Sequence, residues 1–273
     1  MPEIFITIPA TFTQEHEHVV LKYFETAGRL ALQEWKIAFE AFDKLAYAKI
    51  NWHARQMSFA DYYKQFVEVI HANRFILALL KAENISTVAE KLQAEVSRKI
   101  LSSLQKEGLY STDVEGSQFL AAYSLYWWNS FARGYSFEIE VCRKLDVAGI
   151  AYTAHDLLDR TERLSPYDLT ILGYFGDIKN TTYFLHSRRN LPLLCDFYIT
   201  RLWHAQRRRY ILAVILTSQI WEQINGATQT ALLGEAAYFF PNPIAVTLEE
   251  RIWIIIPLSL FFEKIGKKQR RED

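Results

Sequence analysis

The chain has 273 residues, of which half are apolar and 23% are charged. This composition is typical of a globular protein with enough apolar material for one or two domains. Lys and Arg together number 31, as do Asp and Glu, so the formal net charge is zero. The balance excludes a strongly basic or acidic chain, although a local basic patch would be enough for nucleic-acid binding.

The cysteines and the N-terminal segment favour a cytoplasmic location. Cys142 and Cys195 are the two cysteines, which is too few for a disulfide framework in a chain of this length. Residues 1–18 lack the basic start and the apolar run of a signal peptide. The longest apolar stretch, residues 252–262, is shorter than the roughly 20 residues that span a bilayer. We therefore expect no membrane association.

Residues 1–130 predict an α-helical region. Apolar residues recur at helical spacing over about residues 15–53, and a second helix is predicted over residues 58–82. Capping-box patterns that begin at Thr87 and Thr112 predict two further helix starts. We expect this region to contact substrate or to form the interface of a homodimer.

Residues 131–273 predict a second domain that mixes helices and strands. Gly134 predicts a break before its first helix. The predicted elements, in chain order, are a helix over residues 135–148, strands over 150–153 and 167–172, a turn over 173–176, a strand over 177–185, a helix over 191–207 and a strand over 210–216. Residues 252–262 fit either a buried strand or a helix, and residues 267–271 are expected to fray.

The order helix, strand, strand, strand, helix, strand brings acidic residues and a lysine together. Asp177 and Lys179 are two apart on a predicted strand and would therefore project from the same face. The triplet alone carries no weight, because acid-x-Lys also occurs at residues 34–36, within a predicted helix. Asp168 lies across the predicted turn, and Glu138 lies on the preceding helix, where it can lean over the same sheet edge.

Carboxylates that converge in this way bind a hard divalent cation through oxygen. The cation stabilises charge on a phosphate and lowers the pKa of a bound water. A neighbouring lysine can orient or deprotonate that water, or stabilise the developing charge. The four residues therefore predict metal-dependent hydrolysis of a phosphodiester, with Mg²⁺ or Mn²⁺ as the cofactor.

Residues 133–216 resemble the PD-(D/E)xK nuclease superfamily, which includes many restriction enzymes and the archaeal Holliday-junction resolvases. The segment from Arg133-Gly134 to Phe137-Glu138, followed by Leu145 and Gly149, is similar to the resolvase opening. Pro166-Tyr167-Asp168 corresponds to the PD half of the motif, and Asp177-Ile178-Lys179 corresponds to the (D/E)xK half. The predicted αβββαβ order is that of the family core.

The resemblance implies an α/β (α+β) fold with a restriction-endonuclease-like core and a mixed sheet. It also implies that Asp168 and Asp177 are metal ligands, that Glu138 is a metal-site or water-positioning acid, and that Lys179 is the catalytic lysine. The chain departs from the family pattern at Tyr167, which is inserted before the aspartate, and at Gly176, where an apolar strand residue is usual. In addition, Glu140 competes with Glu138 for the helix position.

Other interpretations remain open for these residues. Aspartates commonly flank hairpin turns, and Glu138 also fits a solvated helix face. Residues 155–159, which include His155, fit a turn better than a ligand set. Five arginines are candidate phosphate contacts, although exposed loops and a helix end explain several of them equally well: Arg133, Arg188, Arg189, Arg207 and Arg208.

The sequence therefore favours an enzyme, a metal-dependent nuclease with DNA as the expected substrate. One alternative is a protein that binds nucleic acid on a nuclease-like fold without cleaving it. Another is a helical interaction or structural protein in which the hairpin acids are incidental.

Overall fold

The computed structural model describes residues 4–186, 193–224, 229–230, 240 and 242–272. The chain forms two compact units, Met1–Arg133 and Gly134–Asp273. Both units combine helices with a sheet, so the protein is mixed α/β, as the sequence predicts. Within the described residues, no helix is both long enough and apolar enough to span a membrane.

The first unit contains helices and a small antiparallel sheet. Its helices are α1 (Gln14–Glu25), α2 (Leu32–Leu45), α3 (Phe59–Tyr62), α4 (Val69–Lys81), α5 (Ile85–Lys106) and the first part of α6 (Ser117–Val147). Its strands, in spatial order, are β1 (Phe5–Thr7), β2 (Lys49–Trp52) and β3 (Arg55–Ser58). The sheet is an addition to the α-helical region that the sequence predicts.

The single helix predicted over residues 15–53 is wrong in two places. The chain leaves the helical conformation after Thr26, the C-cap of α1, and turns at Gly28 with a φ of +86°. This left-handed backbone is costly for a residue with a Cβ atom, so glycine suits the end of the helix. Residues 49–52 are extended because they pair with both β1 and β3.

The helix predicted over residues 58–82 is confirmed in extent. The Ser58 hydroxyl accepts the backbone N–H of Asp61 at 3.0 Å, and the Asp61 carboxylate accepts that of Ser58 at 3.3 Å. This reciprocal capping box starts α3. A π-helix over Tyr63–Glu68 joins α3 to α4 without a break.

The two helix starts predicted from capping boxes fall at the wrong residues. Helix α5 starts before Thr87, because the Asn84 Oδ1 atom accepts the backbone N–H of Thr87 at 3.0 Å and so caps the helix. Asparagine is among the strongest N-cap residues. Helix α6 starts at Ser117 instead of Thr112, after a turn in which Gly116 has a φ of +77°.

Helix α6 runs unbroken through Gly134, where the sequence predicts a break. An interior glycine costs a helix about 1 kcal/mol relative to alanine. The burial of apolar residues in the second half of the helix offsets this cost. Phe137, Val141 and Leu145 recur every four residues and pack together in the core of the second unit.

The second unit is built on one mixed sheet. Its strands are β4 (Thr153–Ala154), β5 (Leu169–Ile171), β6 (Tyr174–Lys179), β7 (Phe197–His204), β8 (Arg209–Thr217), β9 (Gln229–Thr230), β10 (Ile244–Leu248) and β11 (Arg251–Pro257). They lie in the order β4-β5-β6-β7-β8-β11-β10-β9. The β6–β7 and β9–β10 pairs are parallel, and the other neighbours are antiparallel. Its α-helices, besides α6, are α7 (Tyr183–His186), α8 (Ser218–Ile224) and α9 (Leu258–Glu272).

The helix predicted over residues 191–207 is wrong over residues 197–204, which form β7. Phe197 and Ile199 enter one hydrophobic core, and Tyr198 enters a second core on the other face of the sheet. A strand buried on both faces reads as an apolar run that periodicity does not separate from a buried helix. From α6 to β7 the described elements follow one another as helix, three strands, helix and strand, but the second helix is the single turn α7 and not one over residues 191–207, so the restriction-endonuclease-like core stays a prediction.

Residues 252–262, which fit either a strand or a helix, contain part of each. Strand β11 ends at Pro257, and α9 follows directly. The tail over residues 267–271, predicted to fray, belongs to α9. Phe261 and Ile265 bury one face of this helix in the core of the second unit, which stabilises it beyond its own propensity.

Candidate functional site

The hairpin of β5 and β6 carries the two predicted aspartates. Its turn lies at Leu172 and Gly173, whose φ values are +52° and +79°, so the turn predicted over residues 173–176 is placed too late. Asp168 stands directly before β5, and its backbone N–H donates to the carbonyl of Gly176 at 2.9 Å. Asp177 is the next residue of β6, so the hairpin brings both aspartates to the same end of the strands.

The Asp168 carboxylate is buried and crowded by other carboxylates. Its Oδ2 atom accepts the backbone N–H of Ile178 at 2.7 Å, and its side chain is 16% exposed. Burial, followed by the charges of Glu138 and Asp177, raises the pKa of Asp168 to about 8. A crowded buried carboxylate of this kind is unfavourable as an anion and gains stability from a nearby cation.

His155, which the sequence favours as a turn residue, lies beside this cluster. It follows β4, and its backbone N–H donates to the carbonyl of Asp168 at 3.1 Å. Its side chain is 7% exposed, with Nε2 2.9 Å from Glu138 Oε1 and Nδ1 3.9 Å from Asp168 Oδ1. The Glu138 carboxylate raises the pKa of His155, against the opposing effect of burial.

Glu138 reaches the cluster from α6 with a buried side chain. Glu140, the other candidate on this helix, lies in a different set of contacts. It pairs with Arg201 on β7 at 3.2 Å and with Lys144 at 3.6 Å. The structure therefore separates the two glutamates, and Glu138 is the one that faces His155.

The cluster of Glu138, His155 and Asp168 fits a divalent metal ion. One donor atom from each residue lies within 4.8 Å of the others. Both ring nitrogens of His155 are buried, and neither makes a hydrogen bond of good geometry in the part of the chain that the structure describes. Two donors bound at right angles about 2.1 Å from one metal ion are about 3 Å apart, which matches the 2.9 Å contact between His155 and Glu138.

Asp177 and Lys179 form an ion pair on β6. The Lys179 Nζ atom donates to Asp177 Oδ1 at 2.7 Å, which agrees with side chains two apart on one strand. Burial alone lowers the pKa of Lys179, but the Asp177 carboxylate outweighs this effect and the pKa lies above its ordinary value. The Lys179 side chain is 45% exposed. Asp177 thus holds the accessible ammonium group of Lys179. The group of mutually close donor atoms contains His155 and not Asp177.

Two of the predicted phosphate-contacting arginines lie at the opposite end of β7 from the aspartates. Arg207 and Arg208 occupy the turn between β7 and β8 rather than the end of a helix. Tyr198 pairs in register with Asp177. From Tyr198 to the end of β7 at His204 the strand extends about 20 Å. Arg207 and Arg208 are therefore remote from the cluster.

The other three arginines give no direct link to the cluster. Arg133 lies on α6, where its Nε atom donates to the backbone carbonyl of Asn129 at 3.1 Å. Arg188 and Arg189 lie outside the described residues. A phosphate-binding role for these three residues stays a prediction.

Comparison of this chain with known protein families, with curated proteins and with solved structures finds no match. The resemblance to the PD-(D/E)xK nucleases therefore stays a prediction that rests on residues 133–216. What the structure adds is the proximity of Glu138, His155 and Asp168 at the end of the hairpin that bears the Asp177–Lys179 ion pair.

Proposed function

We propose that this protein is a metal-dependent nuclease that hydrolyses phosphodiester bonds, with DNA as the expected substrate. The observation that carries the proposal is the meeting of Glu138, His155 and Asp168 within 4.8 Å of one another. Beside them, the β5–β6 hairpin presents an ammonium group, Lys179, whose position Asp177 holds. A metal-binding cluster next to a positioned cation matches the needs of phosphodiester hydrolysis.

The donor set supports Mn²⁺ as the better cofactor. A bound divalent cation lowers the pKa of a water ligand and stabilises negative charge on a phosphate oxygen. Mg²⁺ takes oxygen ligands, whereas imidazole favours transition metals. Because His155 stands with two carboxylates, the set matches Mn²⁺ more closely than Mg²⁺, and we expect Mn²⁺ to support the higher activity.

Lys179 is assigned to stabilising negative charge on the phosphate. The Asp177 carboxylate keeps its pKa above the ordinary value, so the side chain is an ammonium ion at neutral pH and has no free lone pair with which to deprotonate water. Its partial exposure leaves it accessible to a substrate. Asp177 is assigned to positioning this ammonium group.

Cleavage assays on the full-length chain test the proposal. Labelled single-stranded, duplex and branched DNA are incubated with the protein in Mn²⁺ or Mg²⁺. We expect cleavage that EDTA stops and that Asp168→Ala, Lys179→Ala and Glu138→Ala each reduce about a hundredfold or more. Glu140→Ala is the matched control, because Glu140 lies on the same helix but pairs with Arg201, and it should retain activity.

Cleavage that survives in both Asp168→Ala and Lys179→Ala would sink the proposal, provided that circular dichroism shows both variants folded. DNA binding that EDTA does not change, with no cleavage of any of the three substrates, would favour a non-cleaving nucleic-acid-binding protein. The absence of both binding and cleavage would favour a helical interaction protein.

A further inference from the structure

Helix α9 concentrates basic charge in a chain whose net charge is zero. Between residues 263 and 272 it has five basic residues and two acidic ones: Lys264, Lys267, Lys268, Arg270 and Arg271, with Glu263 and Glu272. At 100° per residue, four of the basic side chains leave the helix within an arc of about 120°. We call this arc, which holds Lys264, Lys267, Arg270 and Arg271 together with the single acid Glu263, the basic face of α9.

The rest of the helix is fixed to the second unit. Gln269 binds the backbone of Ala151 twice, accepting its N–H at 3.1 Å and donating to its carbonyl at 2.8 Å. Gly266 permits close packing, because a Cβ atom there would lie 3.3 Å from the Ile150 Cδ1 atom. Phe261 is buried in the core. These contacts therefore fix the orientation of the basic face relative to the rest of the second unit.

A cleft of about 780 Å³ adjoins the basic face. The end of α6, strands β4 and β5 and helix α9 form its walls, to which α9 contributes Arg270 and the acidic Glu263. Glu263 forms an ion pair with Lys267 at 2.6 Å, which offsets its charge. Thr153 and Thr170, partners in the β4–β5 register, supply hydroxyl groups to the opposite wall.

The cleft extends from the basic face towards the metal-binding cluster. Thr153 stands two residues before His155 on the chain, and Thr170 stands two residues after Asp168. Two residues of extended chain cover about 7 Å. The cleft therefore starts about 7 Å from the cluster, measured along the β4–β5 pair, and ends at the basic face of α9.

We propose that the cleft and the basic face of α9 bind the phosphate backbone of a nucleic-acid strand and lead that strand to the metal-binding cluster. This inference rests on the proposed nuclease function. Grooves that bind single strands combine a row of cations with aromatic side chains on which bases stack, and Tyr152 and Phe262 line this cleft. An anionic membrane is the weaker match, since a helix that lies on a membrane inserts its apolar face, whereas Phe261 and Ile265 of α9 are buried in the protein core.

A single charge placed in the cleft tests the inference with little risk to the fold. Ser259 is exposed in the first turn of α9 and lines the cleft. A glutamate near a helix N-terminus is favourable, so Ser259→Glu is expected to fold. We expect it to weaken the binding of labelled DNA about tenfold by fluorescence anisotropy in EDTA, which prevents metal-dependent cleavage. Ser259→Gln, of nearly equal size and uncharged, should bind within twofold of the parent.

A second pair of variants tests the basic face. Arg270→Gln with Arg271→Gln should weaken DNA binding about tenfold and reduce the slope of log affinity against log salt by about two. Lys91→Gln with Arg98→Gln removes two exposed charges from another helix, α5, and should change neither quantity.

The inference is overturned if Ser259→Glu and the Arg270/Arg271 variant both bind DNA like the parent, or if the protein binds anionic vesicles but no DNA. Its failure is distinct from failure of the nuclease proposal. DNA binding that depends on α9, without cleavage in any metal, would contradict the nuclease proposal alone. Cleavage that Lys179→Ala abolishes, with binding independent of α9, would contradict this inference alone.

Discussion

The Nε2 atom of His155 lies 2.9 Å from the Oε1 atom of Glu138, and both side chains are almost fully buried. Neither nitrogen of the imidazole makes a hydrogen bond of good geometry within the described residues, and the two groups meet as an ion pair that raises the pKa of His155. Helix α6 supplies the glutamate, and the bond from the His155 backbone N–H to Asp168 places the histidine. A metal ion shared by the two side chains would satisfy both.

His155→Ala is expected to weaken Mn²⁺ binding at least tenfold, which corresponds to about 1.4 kcal/mol. The substitution removes one of three donors and leaves the two carboxylates. Isothermal titration of the metal-free protein with Mn²⁺ measures the change. His53→Ala is the control, since the His53 side chain is 61% exposed and pairs with Glu107. If His155→Ala binds Mn²⁺ like the parent, His155 leaves the ligand set and Asp177 is again the leading third ligand.

Asp168→Asn is expected to stabilise the metal-free protein while abolishing cleavage. The amide oxygen can still accept the backbone N–H of Ile178, and the substitution removes a carboxyl that, with its pKa raised to about 8, folds at neutral pH only by taking up a proton. We expect the free energy of unfolding in EDTA at neutral pH to rise by about 2 kcal/mol, measured by denaturant titration.

The control for this prediction is Asp159→Asn. The exposed Asp159 carboxylate accepts the backbone N–H of Thr161 at 2.6 Å, and this bond holds the pKa of Asp159 below its ordinary value, the reverse of the shift at Asp168. Its substitution should leave the free energy of unfolding unchanged or slightly lower. An Asp168→Asn protein less stable than the parent would contradict the idea that the carboxylates of the cluster oppose folding.

The sequence predicted the neighbours within the hairpin because their geometry is local. A turn of a few residues and the alternation of side chains are enough to bring Asp168 near Asp177 and to put Lys179 beside Asp177. His155 was missed because its position depends on the antiparallel pairing of β4 with β5. The signal was present: pairing the strands predicted over residues 150–153 and 167–172 in antiparallel fashion puts the residue after β4 near the residue before β5.

Strand β7 was predicted as a helix because its stabilising contacts are long-range. Arg201 interrupts the apolar run of β7. In contrast, no charged residue interrupts residues 210–216, which were correctly predicted as a strand and belong to β8. The Arg201 guanidinium lies 4.6 Å from the centre of the Phe137 ring and 3.2 Å from the Glu140 carboxylate, both on α6. These contacts make a charged residue acceptable within a buried strand, and nothing in residues 191–207 alone reveals them.

His16, at the start of α1, is expected to lower the free energy of unfolding as the pH drops from about 7 to 5, a contribution opposite in sign to that of Asp168, whose raised pKa favours the folded state as the pH falls. Burial, followed by the charge of Lys44, lowers the pKa of His16, whereas the unfolded chain keeps a value of about 6.5. The stabilising neutral form is therefore fully present above about pH 6.5 and is lost as the pH falls through the folded-state pKa. Its Nδ1 atom accepts the backbone N–H of Thr13 at 2.9 Å, a role that protonation removes.

His16→Gln checks this prediction, because glutamine at the third helical position can also complete a capping box but does not titrate. Denaturant unfolding at several pH values should show the free energy of unfolding of the parent falling relative to that of the variant as the pH drops from about 7 to 5. Equal slopes for the two proteins would exclude His16 as the cause.

Gly176→Ala is expected to lower the free energy of unfolding by about 2 kcal/mol and to reduce cleavage. A Cβ atom at residue 176 would lie 2.1 Å from Cζ of Phe197, whose ring is fully buried in the core between the sheet and its helices. Because the ring cannot move aside cheaply, β6 must shift relative to β7, and Asp177 shifts with it. This contact also explains why glycine stands where the resemblance implies an apolar residue.

Gly134→Ala is the matched control for Gly176→Ala. Among the described residues, nothing outside the backbone of α6 itself lies within 4 Å of a Cβ atom at residue 134, so alanine should raise the free energy of unfolding by about 1 kcal/mol through its higher helix propensity. Chemical denaturation compares the two variants. Adding Phe197→Leu to Gly176→Ala should restore part of the loss, because the smaller side chain leaves room for the Cβ atom and the two substitutions then couple. Additive effects of the two substitutions would show that the strain at residue 176 arises elsewhere.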